Sequence, residues 1–279
     1  MTTLHTLRLA LIGGGNMGRG LLGGLIARGL PASQITVSDL NEVGLEALVR
    51  DFGVRTTTDN RAAIQDADVI VLAVKPQQMR PVVEALRQEL AAKRPLLLSV
   101  AAGLRAADLS RWAGAGIPVV RSMPNRPALV GAGATGLFAD ASVSAAQREL
   151  AALVMAATGL AVWVDNEDQL DTVTALSGSG PAYFFRLAEL MAEAAVAQGM
   201  DPAVARALAA KTLAGAGQLV AAERDDDLAR MRAEVTSKGG TTAAALASFE
   251  ASGLGDTVRS AMDAAARRSR ELADEFGKG

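Results

Sequence analysis

Leu9-Ala10-Leu11-Ile12-Gly13-Gly14-Gly15-Asn16-Met17-Gly18 is the stretch around which the rest of the chain is organised. Its apolar start predicts a buried strand, and Gly13, Gly15 and Gly18 follow the G-x-G-x-x-G spacing. In this pattern the first glycine allows a tight turn, the second lets the backbone approach a pyrophosphate, and the third brings helix and strand together. Because a helix N-terminus also favours anions, the stretch predicts dinucleotide binding. A purely structural glycine turn in another α/β fold is the alternative.

The composition limits the classes of protein that fit. The chain has 279 residues, half of them hydrophobic, which predicts one large or two medium domains. A net charge of -2 gives no general case for nucleic acid or an anionic membrane. There is no cysteine, and the one histidine is His5, so thiolate chemistry, histidine metal clusters and Ser-His-Asp triads are excluded, and no metal is expected. Without a signal-peptide or transmembrane pattern, we expect a cytoplasmic protein.

Asp39 follows the second predicted strand, Ile35–Ser38, about twenty residues beyond the glycine motif, where a Rossmann fold places its ribose-binding acid. A carboxylate there can accept a hydrogen bond from the 2′-hydroxyl of NAD and would repel a 2′-phosphate. Asp39 therefore favours NADH. The alternative is a solvated aspartate that caps the next helix.

Strands and helices alternate as far as Val164, which predicts a doubly wound, mostly parallel sheet of the Rossmann type. The apolar run Val69–Val74 ends at Lys75, beside the glycine loop at the carboxyl edge of the sheet, where ligands bind. Another apolar strand, Leu96–Val100, is followed by Ala101-Ala102-Gly103, whose small side chains suit the close approach of a cofactor.

After Asp165 the strand pattern stops and helical periodicity continues from Gln169 onward. We therefore expect a Rossmann-like dinucleotide-binding domain over residues 1–165 and an all-α domain for dimerisation and substrate binding over residues 166–279. The helix around Pro181–Ala195 is apolar on most faces, and a helix of this kind is usually buried, often in an interface. It predicts a dimer formed through the helical half.

Two segments of the helical half combine hydroxyl side chains with glycines at the start of a helix: Leu176–Pro181 and Thr236–Thr242. Free backbone N–H groups and hydroxyls together make a pocket suited to a carboxylate. The alternative for each is a plain helix cap, because Ser, Thr and Gly are the usual capping residues.

Several motifs, in order along nearly the whole chain, resemble those of the pyrroline-5-carboxylate reductase family. They are Ile12–Gly18, Ala73–Pro76, Arg121–Ala128, Ser177–Tyr183 and Ser237–Thr242. The resemblance implies reduction of the ring C=N bond of 1-pyrroline-5-carboxylate to proline by NADPH or NADH. It also implies dimers formed through the C-terminal helices, further assembly into decamers, and a site completed by a neighbouring subunit.

The resemblance also implies site residues. Cofactor contacts are expected at Ile12, Gly13, Gly15, Asn16, Met17, Asp39, Asn60, Ala73, Val74, Lys75, Val100, Ala101 and Ala102. The substrate carboxylate is expected on Ser237, Gly239, Gly240, Thr241 and Thr242. The Thr242 hydroxyl would reach the ring nitrogen and orient it, since a threonine hydroxyl is a poor general acid at neutral pH.

The chain departs from the family at Lys238, where proline is usual, and at Arg126, where threonine is usual. We expect Lys238 to point to solvent rather than toward the substrate, and Arg126 puts the course of its loop in doubt. Cofactor choice is a conflict, because the family often prefers NADPH whereas Asp39 favours NADH. We expect NADH to be used well and keep both cofactors.

Two other functions remain open from the sequence. A β-hydroxyacid dehydrogenase shares the arrangement of a Rossmann half followed by helices, but it needs a helical lysine with asparagines a turn further on. Lys211 lies in a predicted helix, yet residues 212–219 contain no asparagine. A non-catalytic dinucleotide-binding protein would need the glycine loop but not two hydroxyl- and glycine-rich helix starts.

Overall fold

The computed structural model describes residues 4–223 and 227–277. Its described part contains an eight-stranded sheet in the order β3-β2-β1-β4-β5-β6-β7-β8. The strands are Leu9–Ile12 (β1), Ile35–Ser38 (β2), Arg55–Thr57 (β3), Val69–Leu72 (β4), Leu96–Ser99 (β5), Val119–Met123 (β6), Gly133–Ala139 (β7) and Gly159–Trp163 (β8). Strands β1 to β6 pair in parallel, β7 runs antiparallel to β6, and β8 is parallel to β7. The predicted doubly wound, mostly parallel sheet is confirmed.

Helices flank the sheet on both faces. They are Asn16–Ala27 (α1), Glu42–Phe52 (α2), Asn60–Ile64 (α3), Pro76–Ala85 (α4), Arg87–Lys93 (α5), Ala106–Ala113 (α6), Ala145–Ala156 (α7) and Gln169–Val173 (α8). Successive strand residues point to opposite faces, so Leu11 packs into the core beneath α1, α2 and α7, whereas Ile12 packs into the core beneath α3 to α6. The strands are therefore apolar on both faces, as in other parallel sheets covered on both sides.

The chain forms two compact units by its internal contacts: residues 1–179 with 264–279, and residues 180–263. The first unit contains the sheet, a π-helical turn at Thr174–Gly178, and the end of the last helix. These units group residues 166–179 and 264–279 with the sheet, whereas the sequence places the division at residue 165. Leu170 lies beside Gly136 of β7, and Phe276 packs against the core of the sheet, which accounts for the difference.

The second unit consists of helices. They are Gly180–Ala197 (α9), Pro202–Ala222 (α10), Leu228–Glu234 (α11), Thr241–Ala251 (α12) and the first part of Leu254–Gly277 (α13). The sequence predicts α11 over residues 225–235, of which residues 225 and 226 lie outside the described residues. Phe184, Phe185 and Met191 of α9 are exposed in the single chain. An apolar helix surface of this kind is typical of an interface between subunits.

Candidate cofactor and substrate sites

The glycine loop after β1 is held between the ends of β2 and β4. Gly13 N donates to Ser38 O at 2.8 Å, and Ala73 N donates to Ile12 O at 2.8 Å. Gly13 has a φ of +107°, and a Cβ atom on it would lie 2.7 Å from the carbonyl carbon of Ala73. Only glycine fits this turn, because both the conformation and the neighbouring backbone exclude a side chain.

The next two glycines serve different purposes. A Cβ on Gly18 would lie 2.7 Å from Gly13 O, so this glycine allows α1 to pack against the turn. A Cβ on Gly15 would meet no described atom within 4 Å. Gly15 is the N-cap of α1, without a side-chain cap and without an acid in the first turn. The open space and uncapped N–H groups therefore fit a bound phosphate.

Asp39 lies directly beside this loop. Its Oδ2 accepts a hydrogen bond from Gly14 N at 2.7 Å, and its Oδ1 accepts one from Asn41 N at 2.9 Å. The cap of α2 is Asn41, whose side chain accepts from Gly44 N, so Asp39 is not the capping residue. The two backbone donors fix the carboxylate and place a negative charge at the edge of the glycine loop.

Asn60, the first residue of α3, is positioned by a residue that the sequence analysis missed. Ser38 Oγ donates to Asn60 Oδ1 at 2.6 Å. Ser38 ends β2 and is 1% exposed, so the hydrogen bond lies at the carboxyl end of the sheet. The available sequence signal was the position of Ser38, one residue before the expected ribose-binding acid.

The loops after β4 and β5 meet at the same edge of the sheet. Val100 N donates to Leu72 O at 3.1 Å, and Ala101 N donates to Ser99 Oγ at 3.3 Å. Lys75 is the N-cap of α4 and carries an exposed side chain. The structure thus brings Ile12–Met17, Asp39, Asn60, Ala73–Lys75 and Val100–Ala102 to the carboxyl ends of neighbouring strands.

A partly buried ion pair between Arg121 and Glu167 was not predicted. Glu167 Oε1 accepts from Arg121 Nη1 at 2.7 Å and from Ala106 N at 2.6 Å. Arg121 lies in β6 and is 9% exposed. The carboxylate of Glu167 therefore neutralises a buried guanidinium and also caps α6, whose own N-cap residue, Arg105, makes no side-chain cap.

The first of the two hydroxyl- and glycine-rich segments has a structural role. Ser177 lies in the π-helical turn, where its hydroxyl donates to Val173 O at 3.1 Å. Its carbonyl oxygen accepts from Asn125 Nδ2 at 3.0 Å, and Asn125 Oδ1 accepts from Ala134 N at 2.9 Å. Asn125 is 8% exposed and ties the end of β6 to the turn. No sequence signal beyond the resemblance motif marked this residue.

The second segment lies in the helical unit and forms one tight turn at the start of α12. Gly240 N donates to Ser237 O at 3.0 Å, and Gly239 has a φ of +73°. Gly240 is the N-cap of α12, without a side-chain cap and without an acid in the first turn. Thr241 and Thr242 are the first two residues of the helix. The turn therefore combines hydroxyls with uncapped N–H groups, an arrangement suited to a carboxylate.

Two negative observations apply to residues 4–223 and 227–277. Within these ranges no group of three or more His, Asp or Glu side chains is arranged to hold a metal ion. Over the same residues, no helix combines the length and the apolar character needed to cross a membrane.

Two family models match the chain. One, described as pyrroline-5-carboxylate reductase dimerisation, matches residues 167–272. The other, described as NADP oxidoreductase, coenzyme F420-dependent, matches residues 8–103. The two models correspond to the helical and the dinucleotide-binding parts of the chain, respectively.

Relatives match this chain along nearly their full length. The pyrroline-5-carboxylate reductase of Pseudomonas aeruginosa is 46% identical over 275 residues, which cover 99% of this chain and 100% of that protein. The structure of a pyrroline-5-carboxylate reductase from Coxiella burnetii is 40% identical with a TM-score of 0.92, and the match covers 96% of this chain and 99% of that chain. The Plasmodium falciparum pyrroline carboxylate reductase, solved with NADP bound, is 25% identical with a TM-score of 0.81, covering 97% and 100%.

Proposed function

Because the chain belongs to the pyrroline-5-carboxylate reductase family, we propose which of its residues carry out the reduction. The activity is the NAD(P)H-dependent reduction of 1-pyrroline-5-carboxylate to proline, the last step of proline synthesis. The full-length matches favour this activity over a β-hydroxyacid dehydrogenase or a non-catalytic dinucleotide-binding protein.

The cofactor residues proposed are those gathered at the carboxyl edge of the sheet. The open space at Gly15 and the uncapped N-terminus of α1 support pyrophosphate binding there. Asp39 and Asn60 would hold the adenosine ribose, and the loops after β4 and β5 would border the nicotinamide. When bound, the reduced nicotinamide supplies the hydride that the imine carbon accepts.

The substrate residues proposed are those of the α12 turn, and the observation that carries this assignment is the uncapped N-terminus of α12. Its N–H groups and the hydroxyls of Ser237 and Thr241 would bind the carboxylate. The hydroxyl of Thr242 would hydrogen-bond the ring nitrogen and orient the C=N bond. An imine nitrogen is basic, so the substrate can bind as the protonated iminium ion, and hydride transfer to that ion gives proline without a proton from Thr242.

Thr242 has a direct test, with Thr242→Ser as the matched control. Replacing Thr242 with Ala removes the hydroxyl, and we expect kcat to fall by about 10-fold or more, since one lost hydrogen bond to a charged group is worth about 1.5–3 kcal/mol. Thr242→Ser keeps the hydroxyl and is expected to retain most of the activity. Wild-type kcat and KM in the alanine variant would remove Thr242 from the mechanism.

For the cofactor preference we propose that NADH is used well, beside NADPH. The support is the fixed carboxylate of Asp39, whose negative charge opposes a 2′-phosphate. The NADP in the Plasmodium falciparum structure and the NADP oxidoreductase model point the other way. We expect kcat/KM for NADPH to rise relative to NADH in Asp39→Ser. A strong NADPH preference of the wild-type enzyme in the reductase assay would overturn the proposal.

The assembly and location proposed are a homodimer through the helical domain, further assembly of five dimers into a decamer, and the cytoplasm. The dimerisation model over residues 167–272 supports a homo-oligomer, and it begins close to the division proposed at residue 165. Exposed Phe184, Phe185 and Met191 supply apolar surface for it. The molar mass from light scattering distinguishes monomer, dimer and decamer.

A further inference from the structure

The end of α13 packs directly against the loop between β5 and α6, residues 100–105, here named the β5–α6 loop. Gly103, in the middle of this loop, is buried and has a φ of +69°. A Cβ atom added to it would lie 3.1 Å from Leu272 Cβ and 3.3 Å from Phe276 Cδ2. The loop backbone thus lies against the side chains of α13, and a side chain at position 103 would require Leu272 and Phe276 to shift.

Polar contacts hold the same part of α13 in place. Arg105 Nη2 donates to Asp274 Oδ1 at 2.6 Å, and this hydrogen bond raises the pKa of the Arg105 guanidinium. Ser269 Oγ donates to Asp171 Oδ1 at 2.6 Å. Arg111 Nη2 donates to Gly277 O at 3.0 Å. The helix end is therefore attached to the loop, to α8 and to α6.

The two ends of the β5–α6 loop are fixed by other elements. At its start, Val100 N donates to Leu72 O. Just beyond its end, Ala106 N donates to Glu167 Oε1. The sheet and Glu167 therefore fix where the loop begins and ends, whereas Leu272 and Phe276 contact its middle.

The position of β5 in the strand order indicates which half of the cofactor the β5–α6 loop borders. The strand order reverses between β1 and β4. A dinucleotide bound across that point places one half over β1 to β3 and the other half over β4 and β5. Asp39 follows β2, on the adenosine side, so the loop after β5 borders the nicotinamide half.

We propose that Leu272 and Phe276 are positioning residues that set the conformation of the β5–α6 loop and thereby the affinity for the nicotinamide half of the cofactor. This inference rests on the proposed assignment of Val100–Ala102 to the cofactor site. Phe276 is half-buried and also packs against the core of the sheet domain, so its ring is held in one place. The ring acts through the loop backbone and not by contact with the cofactor.

The test is Phe276→Ala, with Glu275→Ala as the control on the same turn of α13. Glu275 pairs with Arg268 on the exposed side of the helix. If loss of the ring lowers the population of the competent loop to about a tenth, Kd and KM for NADPH rise about tenfold. We expect kcat, KM for 1-pyrroline-5-carboxylate and the Kd of 2′,5′-ADP, which carries only the adenosine half, to stay within about twofold. Glu275→Ala is expected to match the wild type.

Other outcomes refute the proposal. If Phe276→Ala lowers thermal stability or kcat but leaves the Kd of NADPH unchanged, the ring has a structural role alone. If the Kd of 2′,5′-ADP rises equally, the effect is not confined to the nicotinamide half. Should Phe276→Ala fail to fold, Phe276→Leu keeps apolar volume but not the ring contact with Gly103, and the same Kd measurement decides.

A separate variant, Ala102→Leu, tests the assignment of Val100–Ala102 to the cofactor site, because it adds a larger side chain to the loop itself. If this variant binds NADPH as the wild type does, the assignment of Val100–Ala102 is wrong. If Ala102→Leu weakens binding and Phe276→Ala does not, the assignment stands and the positioning role of Phe276 is refuted.

Discussion

Replacement by alanine is expected to have opposite effects at two glycines of the loop after β1: Gly13→Ala lowers stability, whereas Gly15→Ala lowers cofactor affinity. Gly13→Ala places a methyl group 2.7 Å from the carbonyl carbon of Ala73 at a φ of +107°. The strained backbone costs about 1–3 kcal/mol and the overpacking costs about 1–3 kcal/mol more, so we expect the free energy of unfolding to fall by about 2–6 kcal/mol. A loss of that size is a large part of the stability of a typical domain.

Gly15→Ala is expected to leave stability nearly unchanged. Gly15 has a φ of -69°, which alanine adopts readily, and no described atom lies within 4 Å of the added methyl group. Alanine is a poorer N-cap by about 0.5–1 kcal/mol, whereas the reduced entropy of the unfolded chain returns about 0.4–1 kcal/mol. The two effects cancel to within about 0.5 kcal/mol.

The cofactor affinity of Gly15→Ala should nevertheless fall steeply, because the methyl group would occupy the space that we propose for the pyrophosphate. Loss of one hydrogen bond to a charged group costs about 1.5–3 kcal/mol, which corresponds to an increase in Kd of about 10- to 150-fold. Urea unfolding gives the stability of both variants, and fluorescence titration with NADPH gives the Kd. Wild-type affinity in Gly15→Ala, or equal loss of stability in both variants, would refute the assignment of this loop.

Two further predictions concern Glu167 and Lys238. Glu167→Gln leaves the buried guanidinium of Arg121 without its counter-charge, so we expect the free energy of unfolding, measured in urea, to fall by about 2–4 kcal/mol. The control is Glu84→Gln, in an exposed ion pair, which should cost less than about 1 kcal/mol. Equal losses in the two variants would contradict a buried role. Lys238 is exposed, so Lys238→Ala should leave KM for 1-pyrroline-5-carboxylate within about twofold, and a several-fold rise in steady-state assays would show that its charge attracts the substrate.

Much of the fold was predictable because its signals are local. Glycine spacing, apolar strands and helical periodicity depend on residues a few positions apart, and they predicted both the sheet up to Val164 and the helices after Gln169. The position of Asp39 after β2 was predictable for the same reason. Its fixation by Gly14 N and Asn41 N required the structure, since the sequence also allowed a simple helix cap.

The sequence by itself determined where the glycine loop after β1 and the α12 turn lie, because each is a short stretch whose residue types impose a backbone conformation. Only the tertiary structure decided which distant residues support them. Glu167 caps α6 and neutralises Arg121, and Phe276 packs against Gly103. Such pairs have no characteristic spacing in the sequence. A buried polar group needs a hydrogen-bond partner and a buried apolar group needs a packing neighbour, and either can come from any residue that the fold brings close.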